Sequence, residues 1–272
     1  LGYSDVIVTD PRCAWHGVIL KKMPRQRDGS AKNSRGTCGD IGRPYLNPSR
    51  VVETLVKKEA RMVSRVIYRP FEKDDFSALA SILKDTWHTY VPNQEYNALE
   101  AACDLVHSLE ISSFSQVVLV DDVPCGIVLA RAEGDRLPHA KECHAAMDAF
   151  LERMHKLEPK ATDEYLSFLE AEQRVNSRLL EQSGLARASQ ITLLAVSGTA
   201  RGLGIGSVLL DAATSYVTSR GAEGMYLYTD TDCSWKFYER RGLKRAAMYR
   251  ANREERHVLP REMYLYGMDL SA

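Results

Sequence analysis

The chain predicts a mixed α/β fold of the α+β kind, and three observations carry that expectation. Strand-length runs rich in β-branched and aromatic residues, such as "ITLLAV" and "MYLYTD", are interleaved with stretches of helical period. "SQVVLVDDVPCGIVLARAE" reads as two strands, Gln116–Val120 and Gly126–Ala132, joined by Asp121–Asp122 as an antiparallel hairpin. No apolar run approaches the roughly 20 residues that cross a bilayer, and no signal-like segment follows Leu1. With 272 residues, 44% of them hydrophobic, the chain can bury a substantial core, and the expected location is the cytoplasm, with no membrane partner.

The net charge of zero conceals an asymmetry. Residues 1–61 hold 12 Lys and Arg against 6 Asp and Glu, which leaves 24 against 30 for residues 62–272. The segment "KKMPRQRDGSAKNSRGTCGDIGRP" has no sustained period and too little apolar surface to order itself, so residues 1–61 are expected to form a basic, disordered arm. Such an arm could grip nucleic acid electrostatically, but it lacks interleaved aromatics and its charge is thinly spread, while the body is acidic; nucleic acid is therefore an unfavoured partner. "KKEARM" can also be encoded by a purine-rich sequence just upstream of a start codon at Met62, which would make residues 1–61 translated leader and not part of the natural protein. The expected division is an arm at 1–61 and a folded domain at 62–272.

In the body, "SRVIYRP" opens as a short strand. "EKDDFSALASILKDTWHTY" follows as a helix, with Phe76, Leu79, Ala80, Leu83 and Trp87 on one face and Asp74 or Asp75 as N-cap. After the hairpin the period turns helical from Glu133 to Ser189. Ala146, Met147, Phe150, Met154 and Leu157 form one stripe, Glu158-Pro159-Lys160 breaks it, and Tyr165, Phe168, Leu169, Val175 and Leu179 form a second. A helical hairpin inserted over 133–189 is expected. Next come the buried strand Ile191–Val196, a helix from Ile205 with Val208, Leu209, Ala212, Ala213, Tyr216 and Val217 at helical spacing, and Gly221 and Gly224 at its end. "MYLYTD" is a strand, "SWKFYERRG" a short helix closed by Gly242, and "LKRAAMY" and "EMYLYGMDL" are the last two strands.

The six cysteines form no CxxC pair and read as reduced, mostly packed thiols. His139, Cys143 and His144 in "HAKECH" could offer two ligands on one helix face, but no further ligand is evident and no metal is expected.

The chemistry concentrates in "AVSGTARGLGIGSVLLDAA". A strand that passes through a glycine-rich turn into a helix aims unpaired backbone N–H groups and the positive end of the helix dipole at one point, where phosphate binds. A P-loop would need Lys-Ser/Thr after the last glycine, and a dinucleotide fingerprint would need glycine where Ser207 stands. A different phosphate cradle, or a turn that simply joins strand to helix, remains.

"LAVSGTARGLGIG" resembles the acetyl-CoA-binding motif of the GNAT superfamily of N-acetyltransferases, with Arg201, Gly204 and Gly206 at its defining places. "FYERRGL" resembles that family's second motif, with Tyr238, Glu239 and Gly242 in position and Leu243 for the usual Phe. Gly198 stands for a common proline and Thr231, flanked by Asp230 and Asp232, for a frequent asparagine. The resemblance covers 66–132 and 190–270. It implies a mostly antiparallel central sheet flanked by helices, with the helical hairpin as an addition, and an acetyl-CoA-dependent transfer to a primary amine in a ternary complex.

The same resemblance implies roles for residues. Backbone groups of Leu194, Ala195 and Val196 would pair with the pantetheine arm, and N–H groups of Arg201, Gly202, Leu203, Gly204, Ile205, Gly206 and Ser207 would hold the pyrophosphate. Tyr238 would be the acid at the thioester sulfur. No carboxylate lies on Ile191–Val196, so Asp230 and Glu133, each at a strand end, are the candidates for the acceptor side, with Trp87, Tyr90, Tyr264 and Tyr266 as further lining. The acceptor would be a small-molecule or peptide amine, and the final strands could pair across a homodimer. A non-catalytic acyl-CoA-binding or sensing module is the alternative.

Overall fold

The computed structural model describes residues 65–271, so the expectations for the arm at 1–61 and for Met62 lie outside the described residues. The elements run β1 (Val66–Arg69), α1 (Phe76–Trp87), α2 (Gln94–Glu110), β2 (Phe114–Val120), β3 (Val123–Arg131), α3 (Ala140–Leu157), α4 (Pro159–Ser183), β4 (Ser189–Val196), α5 (Ile205–Ser219), β5 (Gly224–Asp230), α6 (Lys236–Arg240), β6 (Lys244–Arg250) and β7 (Glu262–Asp269). The seven strands form one sheet in the order β1-β2-β3-β4-β5-β7-β6. Every neighbouring pair is antiparallel except β4 and β5, so the sheet is mixed and mostly antiparallel, as expected.

Alternation along the strands divides the core in two. Val118, Val128, Ala130, Ile191, Met225, Leu227, Tyr264 and Tyr266 pack with α5 and α6 on one face. Val117, Leu119, Ile127, Leu129, Leu193, Ala195 and Leu265 pack on the other, beneath α1, α2, α3 and α4. The hairpin turn is tight because Asp121 and Asp122 both take positive φ, 50° and 63°, which matches the strand twist in a two-residue loop.

The inserted helices are part of the core. Met154, Tyr165, Phe168 and Leu179 are buried in the same cluster as Leu193 and Leu265. Pro159 opens α4, where a missing N–H costs nothing, and Gly184 closes it with φ 72°.

Four local details go beyond or against the sequence reading. Asp75 stands at the N-cap of α1, as expected, but its side chain makes no cap bond to the helix; Glu72 is the N-cap of a short 3-10 turn, Lys73–Asp75, that precedes it. The Asp75 carboxylate turns back to accept the Glu72 N–H at 2.9 Å and both Arg69 nitrogens at 2.7 and 2.8 Å. Gly224 begins β5 and does not end a helix; Gly221, with φ 78°, follows α5. Along α5, Val208 faces solvent and Leu210 takes a core place. The fourth is an element absent from the sequence reading, the 17-residue helix α2.

That helix has no simple apolar stripe because its buried surface is polar as well as apolar: Asn97, Glu100, Asp104 and His107 are buried alongside Tyr96, Leu105 and Leu109. His88, 1% exposed just after α1, lies between two of its carboxylates, with Nε2 2.8 Å from Asp104 and Nδ1 3.4 Å from Glu100. Tyr165 of α4 donates to Asp104 at 2.7 Å, and Tyr90 donates to Glu100. Burial alone would lower the imidazole pKa, but the Asp104 and Glu100 charges overturn that and hold it up to about 9. The imidazolium thus ties α1, α2 and the inserted α4 together.

Candidate active site

The site begins where β4 leaves β5. The two strands pair at Ser189–Met225 and Gln190–Tyr226, after which β4 continues to Val196 and β5 to Asp230 without further pairing. A β-bulge accompanies the split. Leu129 faces Leu193 and Ala130 faces Ile191, so Thr192 has no counterpart on β3. The buried Thr192 hydroxyl lies 2.6 Å from that of Ser112. Leu194, Ala195 and Val196 keep their partners on β3, so their β5 side forms one wall of an opening between the strands.

The glycine turn lies at the open end of this split. Ser197 N–H closes onto Cys125 O at 2.8 Å, and the chain turns through Gly198–Ala200 before Gly202 and Gly204 take φ 85° and 76°. Gly204 is the N-cap of α5, and a Cβ placed on it would meet nothing within 4 Å. Its positive φ is the reason glycine stands there. Gly206 differs: it lies inside the first turn of α5 without a positive φ, and a Cβ would meet the Phe237 ring at 3.7 Å. Phe237 therefore seats α6 against the turn.

Among the described residues, the N–H groups of 201–206 have no backbone acceptor, as expected of a helix start. The Ser207 N–H, included in the expected cradle, instead bonds Gly204 O at 3.0 Å, and that of Val208 bonds the same oxygen at 3.3 Å. Six N–H groups of the expected cradle are therefore without a backbone acceptor, with the exposed Arg201 side chain at their edge.

Tyr238 comes to this end on α6, 6% exposed, its ring 5.3 Å from Phe237 and 6.4 Å from Tyr266. Burial, then the neighbouring Cys233 and Asp230, push its pKa well above the usual phenol value, so it stays protonated at neutral pH. Asp230 ends β5 at the same place. It is buried, 6% exposed, and not a solvated strand end. Its Oδ1 accepts the Asp232 N–H at 2.6 Å. Burial raises its pKa to about 7, against the opposing effect of the Cys233 thiol and the Asp232 N–H. The split, the turn, Tyr238 and Asp230 thus converge, and Cys233 joins them without any motif in the sequence to announce it.

Glu133, Trp87 and Tyr90 fall elsewhere. Arg131 pairs with Gln190, so the exposed Glu133 lies past the opposite end of β3 from the glycine turn. Trp87 packs in the helical core and Tyr90 is bound to Glu100. Tyr264 and Tyr266 are buried; the Arg245 guanidinium lies 3.9 Å over the Tyr264 ring and bonds the Tyr266 hydroxyl at 2.7 Å. β7 is an interior strand, and the outer strand β6 exposes Lys244, Arg245 and Arg250. His139 packs edge-on against Phe71, Cys143 is buried and His144 contacts Glu110 at 3.2 Å; the described residues contain no cluster of three metal-ligating side chains. No helix among them is long and apolar enough to cross a membrane.

The Acetyltransferase (GNAT) family model matches residues 175–243, the stretch from α4 through the glycine turn to the end of the second motif. No curated protein matches the sequence. Among solved structures, the chain is similar to a mosquito arylalkylamine N-acetyltransferase-like protein, at 18% identity and TM-score 0.47, over 76% of this chain and 100% of that one. It is also similar to Ard1 from Thermoplasma volcanium, at 16% identity and TM-score 0.43, over 75% and 97%. The family match spans both motifs, which the mixed sheet with its split β4–β5 pair brings side by side, so it is residues 175–243 that are similar to the Acetyltransferase (GNAT) family.

Proposed function

We propose that the protein is an acetyl-CoA-dependent N-acetyltransferase that moves the acetyl group directly to a primary amine in a ternary complex. The observation that carries this reading is the convergence of an anion-ready turn, a strand edge left open by the β4–β5 split, and a buried Tyr238 beside a buried Asp230.

In this reading the N–H groups of 201–206 hold the pyrophosphate, helped by the α5 dipole, and Arg201 adds charge. The free edge of Leu194–Val196 pairs with the amides of the pantetheine arm. Asp230, directly or through water, takes a proton from the substrate ammonium and later returns it to solvent; the neutral nitrogen attacks the thioester carbonyl and loses a second proton to solvent as the C–S bond breaks, and Tyr238 protonates the leaving thiolate. The Tyr238 phenol is then restored by a proton from solvent, so an ammonium and a thioester become an amide, a free thiol and one released proton. A carboxyl whose pKa lies near 7 accepts protons at neutral pH and returns them readily. That pairing of a tuned acid and base favours catalysis over a non-catalytic acyl-CoA sensor, which needs only the turn.

The test is thiol release from acetyl-CoA with a panel of small amines and peptides. Release that depends on an amine, with a matching acetylated product, is the expected result. Tight acetyl-CoA binding with no release from any amine would favour the sensor.

A further inference from the structure

A pocket of about 300 Å³ lies on the helical face, between α4 and the connection from β6 to β7. Arg174 and Arg178 form one side, Tyr249 and Glu255 the other, and Val175 and Leu259 are part of its apolar lining. Register fixes the end of the sheet at which it lies. Asp230 pairs with Met263, and Arg250 with Glu262, so the β6–β7 connection emerges at the same sheet end as Asp230 and the open end of the split. β6 is two strands from β5, about 10 Å away at the usual strand spacing. The Tyr249 wall of the pocket, on β6, is therefore level with Asp230 along the strands and two strands away from it.

The charges in the pocket are unequal. Glu255 is already engaged: Tyr249 donates to its Oε1 at 2.5 Å and the Asn252 N–H to its Oε2 at 2.8 Å. Arg178 lies 5.7 Å over the Tyr249 ring, close enough to help hold the Glu255 carboxyl in its charged form. Arg174, one helical turn from Arg178, has no ion pair or hydrogen bond among the described residues. The lining thus has two guanidinium groups against one committed carboxylate, above an apolar floor. This combination suits a carboxylate on an apolar stem, which a guanidinium can bind through two parallel hydrogen bonds.

We propose that the acceptor carries a carboxylate on a stem long enough to span the two strand spacings, about 10 Å, between Asp230 and the Tyr249 wall of the pocket, and that Arg174, with Arg178 beside it, binds that carboxylate. This inference rests on the transferase reading above. The probes are ω-aminooctanoate, n-octylamine and α,ω-diaminooctane, which share a stem and differ at the far end.

The expected result is a kcat/KM for ω-aminooctanoate about 10- to 100-fold above that for octylamine, the range of a charge-assisted hydrogen bond, with the diamine lowest. Arg174→Gln brings the ratio of the first two towards one, and Arg174→Lys restores part of it. A ratio near one in the wild type, or one that survives Arg174→Gln, overturns the proposal. If none of the three releases thiol, the transferase reading rests on the wider panel of amines and peptides. The pocket is then judged by calorimetry of the same three probes: binding that requires the carboxylate and is lost in Arg174→Gln supports it, and equal or absent binding of ω-aminooctanoate and octylamine overturns it.

Discussion

The two faces of the sheet are built on different principles. On the α5–α6 face the groups of the proposed site are mostly backbone: a strand edge, a run of N–H groups and a helix dipole, positioned by glycines and apolar packing. On the other face, four helices enclose charged and polar side chains, with His88 between Glu100 and Asp104 and Tyr165 bonded to Asp104. The first arrangement needs only a short continuous sequence. The second joins residues 88, 100, 104 and 165 through tertiary contact alone. A backbone site tolerates many side chains, whereas a buried ionic network tolerates few, so the two faces should respond differently to substitution.

Tyr238→Phe should produce the largest effect. Removing a general acid costs about 10²- to 10⁴-fold in turnover, and CoA affinity should be kept because the turn is untouched. Steady-state kinetics beside a CoA titration would check this; retained turnover would assign Tyr238 a packing role.

On the helical face, Asp104→Ala leaves a buried imidazolium short of one partner and should cost about 3–5 kcal/mol of stability by denaturant unfolding. The raised His88 pKa gives this a pH signature. Stability from this group is fully present below about 6.5, the ordinary histidine value, and is lost as pH rises through about 9. The wild type should weaken across that window and Asp104→Ala should weaken less. Equal slopes would mean that His88 is not the group that titrates.

Asp230→Asn separates function from stability at a single residue. The raised carboxyl pKa stabilises the fold fully below about 3.8, and that contribution is lost as pH rises through about 7. At pH 8 the native state therefore holds an ionised, buried carboxylate at a cost. The amide should unfold at a higher temperature there, while turnover falls at least about 10²-fold if Asp230 is the base. A variant that is both less stable and fully active would remove Asp230 from the mechanism.

The smallest contrast lies within the turn. Gly204→Ala forces a side chain into φ 76° and should cost about 1–2 kcal/mol. Gly206→Ala meets Phe237 at ordinary contact distance in a helical conformation and should be neutral or slightly stabilising, by up to about 1 kcal/mol. Equal costs from thermal melts would mean that the two glycines do the same structural work.

These differences also explain what could be read from the chain. The strands, the hairpin at Asp121–Asp122 and the helices flanking Pro159 were legible because period and turn chemistry are local. The glycine turn and Tyr238 were legible because their motifs are contiguous. Helix α2 was not, since Glu100, Asp104 and His107 occupy positions where a core helix normally shows apolar residues. The bulge at Thr192 was equally hidden: it is a mismatch of register between β3 and β4, and "ITLLAV" reads as an unbroken strand. Asp230 was visible as a strand-end acid, but its burial depends on α6 and β7 closing around it.

The central claim is that the turn after β4 is a cradle for the pyrophosphate of acetyl-CoA. The most direct test is calorimetric titration of acetyl-CoA and CoA into the wild type and Gly204→Glu, with a thermal melt to verify that the variant is folded. The account predicts that both ligands bind the wild type in the micromolar range, about −8 kcal/mol, and that a folded Gly204→Glu, with bulk and negative charge at the N-cap of α5, binds neither. No binding to the wild type, or unchanged binding to the folded variant, would contradict it.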